Sequence, residues 1–582
     1  MPTLVLTNFN IVTAVLGAFI TLFGLVSYLL KERFYLSEAL ISLLAGVTFS
    51  HGTNWIRPHE YSLHSEENID LITLYFSRLV LGVQLVLAGV QLPSRYLRTE
   101  WRSLCWLLGP GMTIMWVSAS LLIWAMVPHL SFLHALAIGA CVTPTDPVLS
   151  NSIVKGKFAD KNIPKKLQKI IIAESGANDG LGYPFLFLAL YLIRYNGHNG
   201  LHGQGYGIGL WFGETWGYTI ILSVLYGALI GWIAKELLHF AEEKKYVDRE
   251  SFLVFAIALA LFITGTCGMI GSDDVLACFV AGNAFTWDDW FRVETEDDSL
   301  QPTIDMLLNI SVFMWYGAIA PWASFRTNDV IPIYRLIFLG VLILLFRRLP
   351  MILAFRHQLK EIDGWQQAAF VGFFGPIGVS AVFYLYISID FLNQVLVDGE
   401  VREDAERLQE VMRVVIWFLA ITSIVVHGLS VPLGKLGYHM PRQLSQALST
   451  ERDDSSGPLD VRRLQDPASY LRRRRNNQNR DRSEPPTPTT FALGQRNQDV
   501  SDEPSRPVKI INSPLGGSGA QTPRTPNDIE ARADGHAAHL GHLAEVDPDA
   551  QKGEHTQRQN DGRIQIGGRP PGQPNGMAQK DE

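Results

Sequence analysis

Long runs of mostly uncharged, apolar residues recur between residues 11 and 434, and they constrain the fold more than any other feature of the sequence. An α-helix needs roughly 20 such residues to cross about 30 Å of hydrocarbon, and it satisfies its own backbone hydrogen bonds there. The sequence therefore predicts an all-α polytopic membrane protein with about thirteen transmembrane helices. The predicted spans cover residues 11–30, 36–50, 70–92, 103–127, 131–153, 167–194, 216–239, 251–268, 272–286, 303–322, 331–355, 365–390 and 411–434. The second span is short, and the eighth and ninth could merge around residues 268–272.

The loops between these spans differ in charge according to the side of the membrane on which they would lie. Lys and Arg collect in the short cytoplasmic loops of membrane proteins. With the N-terminus outside, the basic residues concentrate in the predicted cytoplasmic loops, and the most basic loop holds Lys155, Lys157, Lys161, Lys165 and Lys166. The same orientation places the C-terminal part of the chain in the cytoplasm.

The composition of the chain changes near residue 436. All 14 tryptophans and all 4 cysteines precede this point, and the rest is rich in Pro, Gly, Ser, Gln and charged residues. Such a segment cannot bury enough apolar surface to offset its chain entropy. We therefore predict a transmembrane domain at 1–435 and a disordered cytoplasmic regulatory tail at 436–582. The net charge of -7 argues against a nucleic-acid partner, and the few cysteines argue against a disulfide framework.

Two prolines, Pro144 and Pro147, interrupt the fifth span near its middle. Each lacks a backbone N–H and disfavours helix at the preceding residue, so the helix should break there. Broken backbone is tolerated at this depth where it is buried in protein or lines a cavity, and the freed groups can then bind ions. Thr145 and Asp146 lie at the break and are candidate ion ligands. A proline kink with Asp146 as a helix cap is the alternative.

The sixth span carries four polar side chains on one side of a helix: Glu174, Ser175, Asn178 and Asp179. The first and third are four residues apart, as are the second and fourth, so they share about half of the helix surface. A set rich in oxygen and free of sulfur suits a hard cation such as Na+. Ser175 and Asn178 could instead link helices by hydrogen bonds.

The twelfth span has a cluster of Gly372, Gly375, Pro376 and Gly378 near its middle, which predicts a second unwound segment. It lies seven spans after the fifth, so the two interrupted helices should run antiparallel. Paired interruptions in two halves are typical of inverted-repeat transporters with a site at the midplane. A glycine-rich packing face is the alternative for this span.

Further charged residues lie in the predicted spans. Arg347 and Arg348 of the eleventh span have no acid nearby in sequence, so we expect at least one to form a structural ion pair with Glu174, while the other could snorkel to the interface. Asp273 and Asp274 open the ninth span near the expected outer surface. They could favour the helix dipole or attract cations at an outer mouth.

Three stretches of this sequence resemble signatures of the monovalent cation/proton antiporters, and in particular of the fungal plasma-membrane Na+/H+ antiporters. They are Thr-Pro-Thr-Asp-Pro at 143–147, Glu-Ser-Gly-Ala-Asn-Asp-Gly at 174–180 and Phe-Phe-Gly-Pro-Ile-Gly at 373–378. The resemblance covers about residues 10–435. It implies a homodimer with inverted repeats and two broken, crossing helices. It also implies that Asp179 carries the cation or proton, with Thr145, Asp146, Ser175 and Asn178 around it.

The implied function is secondary active transport, without a cofactor and without enzymatic chemistry. The protein would exchange intracellular Na+, and also Li+ and K+, for external H+ across the plasma membrane, giving salt tolerance and cation and pH homeostasis. One alternative is a membrane sensor or scaffold that signals through the tail. Another is an intramembrane aspartyl protease, although the chain lacks the Gly-x-Gly-Asp motif of those enzymes.

The predicted tail carries possible regulatory sites. Four consecutive arginines at 472–475 could bind anionic lipid, although a solvated charge run is equally consistent with them. Four Ser/Thr-Pro sites could be phosphorylated by kinases, and the added negative charge would weaken such a contact. These sites are Thr487, Ser513, Thr522 and Thr525.

Overall fold

The computed structural model describes residues 4, 6–30, 36–154, 159, 163–195 and 203–453. The tail sites and Lys155, Lys157 and Lys161 lie outside the described residues. Nearly all the regular structure of these residues is helical. A short antiparallel hairpin joins the two-residue strands β1 Leu396–Val397 and β2 Glu400–Val401. The main helices are α1 Asn8–Tyr28, α2 Glu38–Val47, α3 Glu66–Gln91, α4 Trp101–Met126, α5 Phe132–Cys141, α6 Pro147–Val154, α7 Lys165–Gly180, α8 Tyr183–Arg194, α9 Gln204–Glu243, α10 Arg249–Ile270, α11 Asp274–Phe285, α12 Leu300–Ile319, α13 Ile333–Phe346, α14 Leu349–Phe355, α15 Trp365–Phe373, α16 Val379–Leu392 and α17 Glu403–Asp453.

Each of the thirteen predicted spans corresponds to one helix or to two consecutive helices. Among the described residues, 7 helices are long and apolar enough to cross a membrane, and α5, α11 and α16 are shorter apolar helices. The prediction of an all-α polytopic membrane protein is confirmed. The last helix, α17, continues to Asp453, past the predicted domain boundary at 435. Residues 442–448 include Arg, Gln, Leu and Ala, which favour helix, so composition alone did not mark this extension.

The eighth and ninth spans are two separate helices. α10 ends at Gly271, which adopts the left-handed conformation with a φ of 78° that glycine reaches at little cost. α11 then begins, and the Asp273 carboxylate accepts a hydrogen bond from the Leu276 N–H at 3.0 Å. A glycine that ends one helix and an aspartate that caps the next therefore separate two apolar runs that hydropathy alone could join.

Interruptions divide the fifth and twelfth spans as the sequence predicts. The fifth span consists of α5 and α6 with residues 142–146 between them, and the twelfth consists of α15 and α16 with residues 374–378 between them. The two interruptions meet, because the backbone N–H of Asp146 donates to the carbonyl of Pro376 at 3.0 Å. A third interruption, which the sequence analysis did not predict, separates α13 from α14, where Pro350 occupies the first turn of α14.

Helix α11 packs closely against α3, α7 and α9. Glycines allow this approach on two of these neighbours. A Cβ atom at Gly176 of α7 would lie 2.3 Å from the Phe279 ring, and one at Gly227 of α9 would lie 2.4 Å from the Ala277 carbonyl. Larger side chains would force the helices apart, so these contacts hold α7, which carries the polar cluster, directly against α11.

Candidate cation-binding site

Asp146 lies at the point where the two interrupted helices meet, and it is fully buried. One carboxylate oxygen accepts the Val379 N–H at 2.9 Å and the Ser380 N–H at 3.4 Å, and the other accepts the Leu149 N–H at 2.8 Å. Asp146 therefore caps the N-termini of both α6 and α16, where the helix dipoles favour negative charge. The sequence analysis gave a helix-capping Asp146 as the alternative to an ion ligand. The structure shows these capping hydrogen bonds, and they are made to two helices rather than one.

Asp179 is equally buried, with an exposed fraction of 1%, but its carboxylate has a different environment. Among the described residues, neither of its oxygens forms a hydrogen bond. The side chain of Ser380 faces the carboxylate without reaching hydrogen-bond geometry. The backbone beside it is fixed, since the Tyr384 hydroxyl donates to the carbonyls of Asp179 and Gly180. The result is a rigidly placed carboxylate whose charge the described residues leave uncompensated.

A chain of hydrogen bonds connects α7 to the interruption between α5 and α6. Asn178 accepts the Thr145 N–H at 3.1 Å and donates to the Thr145 hydroxyl at 2.8 Å. The same hydroxyl lies 3.1 Å from that of Ser175, which in turn lies 3.3 Å from that of Ser150. Asn178 and Ser175 therefore do link helices, as the alternative interpretation proposed. They also place several hydroxyl oxygens on the α7 face that carries Asp179.

The structure places Glu174 against Arg348 rather than Arg347. Two guanidinium nitrogens of Arg348 donate to the two Glu174 oxygens at 2.5 Å and 2.7 Å, and both residues are buried. Arg348 also donates to the carbonyl of Val371 on α15 at 3.0 Å. One bidentate pair therefore joins α7, the α13–α14 interruption and α15.

Arg347 does not snorkel, because it is buried with an exposed fraction of 3%. Its guanidinium donates to the carbonyls of Val142, Thr143 and Pro144 in the first interruption and to Gly375 in the second. These carbonyls lack the helical partners that an unbroken helix would supply. Arg347 therefore satisfies both interruptions with one cation, a role that residue type and spacing did not reveal.

Asp273 and Asp274, at the start of α11, are buried in the protein rather than exposed at a surface. Their exposed fractions are 1% and 3%, because the start of α11 is surrounded by neighbouring helices. Asp274 forms an ion pair with Arg78 of α3 at 2.9 Å. One oxygen of Asp273 caps α11, as the helix-terminus interpretation proposed, and the other has no hydrogen-bond partner among the described residues.

Helix α17 also contributes to the second interruption, through residues that the sequence analysis did not identify as part of the site. The Ser423 hydroxyl accepts the Ile377 N–H at 2.7 Å. A ring nitrogen of His427 lies 3.0 Å from the Phe373 carbonyl at the end of α15. His427 is buried, and its other ring nitrogen contacts the Ser423 carbonyl. The sequence does show a Ser and a His four residues apart on an apolar helix. This spacing indicates a shared polar position on the helix, but it does not indicate which part of the chain these side chains contact.

Two broken helices that cross at a buried, oxygen-rich cluster define a membrane transporter fold, and comparisons with known proteins agree. The sequence profile described as "Sodium/hydrogen exchanger, transmembrane" matches residues 18–433, and the chain belongs to this family. This confirms the family resemblance found in the sequence. The chain is 36% identical over 468 residues to Na(+)/H(+) antiporter 2 of Zygosaccharomyces rouxii, covering 79% of this chain and 57% of that protein. It is 39% identical over 444 residues to a probable Na(+)/H(+) antiporter of Schizosaccharomyces pombe, covering 73% and 56%.

The chain thus spans about half the length of these curated relatives. A solved structure supports the fold independently. The structure of the sodium proton antiporter MjNhaP1 from Methanocaldococcus jannaschii superimposes with a TM-score of 0.53 at 15% identity, covering 73% of this chain and 98% of that one. At this level of identity the match establishes the helical architecture, and the chemistry must be argued from the residues of this chain.

Proposed function

We propose that this protein exchanges Na+, and also Li+ and K+, for H+, and that Asp179 is the group that carries them. The observation that carries the proposal is the buried Asp179 carboxylate, whose oxygens form no hydrogen bond with any described residue. An ionised carboxylate at mid-membrane costs about 2.5–3.5 kcal/mol on insertion scales unless it is compensated. A bound proton or a partly dehydrated monovalent cation would remove that cost.

The exchange follows from competition for one site. Asp179 binds either a proton or a cation, and the loaded site is neutral and can cross, whereas the empty, charged site cannot. The hydroxyls of Thr145 and Ser175 are hard oxygen ligands of the kind that suit alkali cations. Ser175 lies four residues before Asp179 on the same face of α7, and the Thr145 hydroxyl lies 3.1 Å from that of Ser175. Asp146 keeps its charge engaged by three backbone N–H groups.

The ion pair and the arginine–carbonyl hydrogen bonds around the site support movement of this region as one body. Arg347 holds the two interruptions together, and the Glu174–Arg348 pair attaches them to α7. Because each contact is buried and satisfied, the crossing helices and α7 can be displaced together without losing their internal contacts. Displacement of such a unit relative to the remaining helices would expose Asp179 to each side in turn.

The test uses full-length protein in proteoliposomes with a pH dye inside, at zero membrane potential. NaCl, LiCl, KCl and choline chloride are added in turn. We expect Na+ but not choline to dissipate an imposed pH gradient, and Asp179→Asn to abolish this effect. Asp329→Asn, which changes an exposed aspartate in the loop before α13, is the matched control and should exchange normally. Normal exchange by Asp179→Asn would refute the proposal.

The setting of the exchanger is part of the same proposal. We place the protein in the plasma membrane as a homodimer, with the N-terminus outside and the regulatory tail, 436–582, in the cytoplasm. The basic loops and the family support this arrangement. Kinases and anionic lipid would act on the tail, and exchange would contribute to salt tolerance and cation and pH homeostasis. Protease digestion of sealed right-side-out vesicles tests the orientation. Cleavage of the tail by protease added outside would contradict a cytoplasmic tail.

A further inference from the structure

Another buried carboxyl group lies outside the candidate cation site, in the loop at residues 356–364 between α14 and α15. Glu361 has an exposed fraction of only 4%, and neither of its oxygens has a hydrogen-bond partner among the described residues. It lies beside Glu100, which immediately precedes α4. The helices next to these two residues are also in contact, since the ring centroids of Trp106 in α4 and Phe355 in α14 are 5.1 Å apart. Two carboxyl groups are thus held together without a compensating bond at the buried one.

A buried hydroxyl group without a hydrogen-bond partner among the described residues lies next to the Glu361 carboxyl group. The Ser103 hydroxyl is fully buried, has no partner among the described residues and lies beside Glu361. An unsatisfied hydroxyl costs about 1–3 kcal/mol in a folded protein, so its presence next to an unsatisfied carboxylate requires a reason. A proton shared between the two carboxyl groups would satisfy an oxygen on each of them, and the other Glu361 oxygen would remain an acceptor for the Ser103 hydroxyl.

We propose that Glu361 and Glu100 form a proton-binding site on the tail side of the membrane, in which the two carboxyl groups share one proton beside the Ser103 hydroxyl. Both connections that form this site fall on the cytoplasmic side in the predicted topology, so the proton would come from the cytoplasm. The role in regulating exchange rests on the proposed function, whereas the binding of the proton does not.

The surrounding charges favour the protonated form of the pair. Burial raises the pKa of Glu361 above its ordinary value, and the neighbouring Glu100 raises it further, although the Ser103 side chain opposes this. The Lys360 nitrogen lies 3.9 Å from a Glu100 oxygen, but the Lys360 side chain is largely exposed. Tyr96, on the connection before α4, is neutral at physiological pH.

The loop that carries Glu361 is attached to the transport machinery at both ends. It follows the α13–α14 interruption that holds Arg347 and Arg348, and it leads into α15 and the second interruption. Asp363 of the same loop accepts a hydrogen bond from Lys166 at 2.5 Å, which attaches the loop to the first turn of α7. Loss of the shared proton would place two repelling carboxylates at this junction, so cytoplasmic pH would be transmitted to the helices of the site.

The first experiment measures thermal unfolding of the purified full-length protein between about pH 5 and about pH 8. A carboxyl group with a raised pKa in the folded state keeps its proton above the pKa of the unfolded chain, so its folded form loses stability as pH rises through that window. We expect the Tm of the wild type to fall across the window and Glu361→Gln to remove that part of the fall. Asp363→Asn, on the same loop but exposed, should retain the fall.

A second variant and a second readout keep the inference testable. If Glu361→Gln does not fold, Glu100→Gln should remove the same fall in Tm. In proteoliposomes, Glu361→Gln should shift the dependence of exchange on tail-side pH and leave the dependence on the opposite side unchanged. If the wild type exchanges no cation, the proposed function fails while the unfolding measurement still decides the proton site.

Two results would overturn the inference. One is a pH dependence of the Tm that is the same in the wild type, Glu361→Gln and Asp363→Asn. The other is stabilisation of the wild type by Na+ or Ca2+ at constant pH that Glu361→Gln abolishes, because the two carboxylates would then bind a metal cation rather than share a proton.

Discussion

Asp146 and Asp179 are both fully buried aspartates next to an interrupted helix, yet their surroundings are opposite. Asp146 accepts three backbone N–H groups from two helices. Asp179 accepts none from the described residues, although its own backbone is fixed by Tyr384. The comparison shows that burial of an acid alone does not identify the ion carrier. In our proposal the carrier is the acid whose charge the described residues leave uncompensated, while Asp146 holds the two interrupted helices together.

The strongest test of this contrast is Asp179→Asn. We expect cation-dependent proton flux to fall to the level of protein-free vesicles, because the site can no longer gain and lose a charge. The Tm should stay at or above that of the wild type, since the substitution removes an uncompensated buried charge. Flux and Tm measured on the same preparation check this. A low Tm with retained flux would reverse the roles assigned to the two aspartates.

Loss of the Glu174–Arg348 ion pair, which joins α7 to the interrupted helices, should have the next largest effect. Glu174→Gln leaves Arg348 buried without its anion, and we expect a loss of about 3–5 kcal/mol in unfolding free energy. The result would appear as a reduced Tm and reduced yield of folded protein. Asp274→Asn, which removes the anion from the less deeply buried Arg78, is the comparison and should cost less. Equal losses of unfolding free energy in the two variants would show that the Glu174–Arg348 pair stabilises the protein no more than the Asp274–Arg78 pair does.

Asp146→Ala tests whether Asp146 stabilises the interrupted helices by capping them. It removes the caps of α6 and α16 together, and each cap is worth about 0.5–2 kcal/mol, so the Tm should fall clearly. Asp146→Asn keeps one acceptor oxygen and should fall less. Asp179→Asn, by contrast, should not lower the Tm, because the Asp179 carboxylate has no hydrogen bond with the described residues to lose. Thermal unfolding of Asp146→Ala, Asp146→Asn and Asp179→Asn side by side provides the check.

The smallest effect is expected at Ser423. Ser423→Ala leaves the buried Ile377 N–H without its acceptor, which should cost about 1–3 kcal/mol. Ser430→Ala, which removes a hydroxyl bonded only within α17, is the matched control and should change little. Wild-type stability of Ser423→Ala would mean that α17 does not support the second interruption.

Much of the site was predictable because its signals are local. Pro144, Pro147 and the glycines around Pro376 disfavour helix through their own backbone chemistry, so both interruptions could be placed from sequence. The candidate ion ligands stand within a few residues of those breaks or on one face of the next helix. The roles assigned to them remain proposals, and the contacts now explain how each could act.

The remaining features of the site could not be predicted, because they depend on contacts between distant parts of the chain. The sequence offered Arg347 and Arg348 as equivalent partners for Glu174, and only packing separated them by directing one toward α7 and the other toward the interruptions. Asp273 and Asp274 were placed near an outer surface because they begin a span. The structure buries them, since the helices around α11 enclose its first turn.

The sequence by itself determined the membrane class, the succession of spans, the two interruptions and the polar face of α7. These follow from hydropathy, helix period and the backbone chemistry of proline and glycine, which act over a few residues. The tertiary structure alone decided which buried charges are compensated. Compensation requires donors and acceptors within about 3 Å of each other. Those donors come from helices far apart in the chain, so only their packing leaves Asp179 free and Asp146 bound.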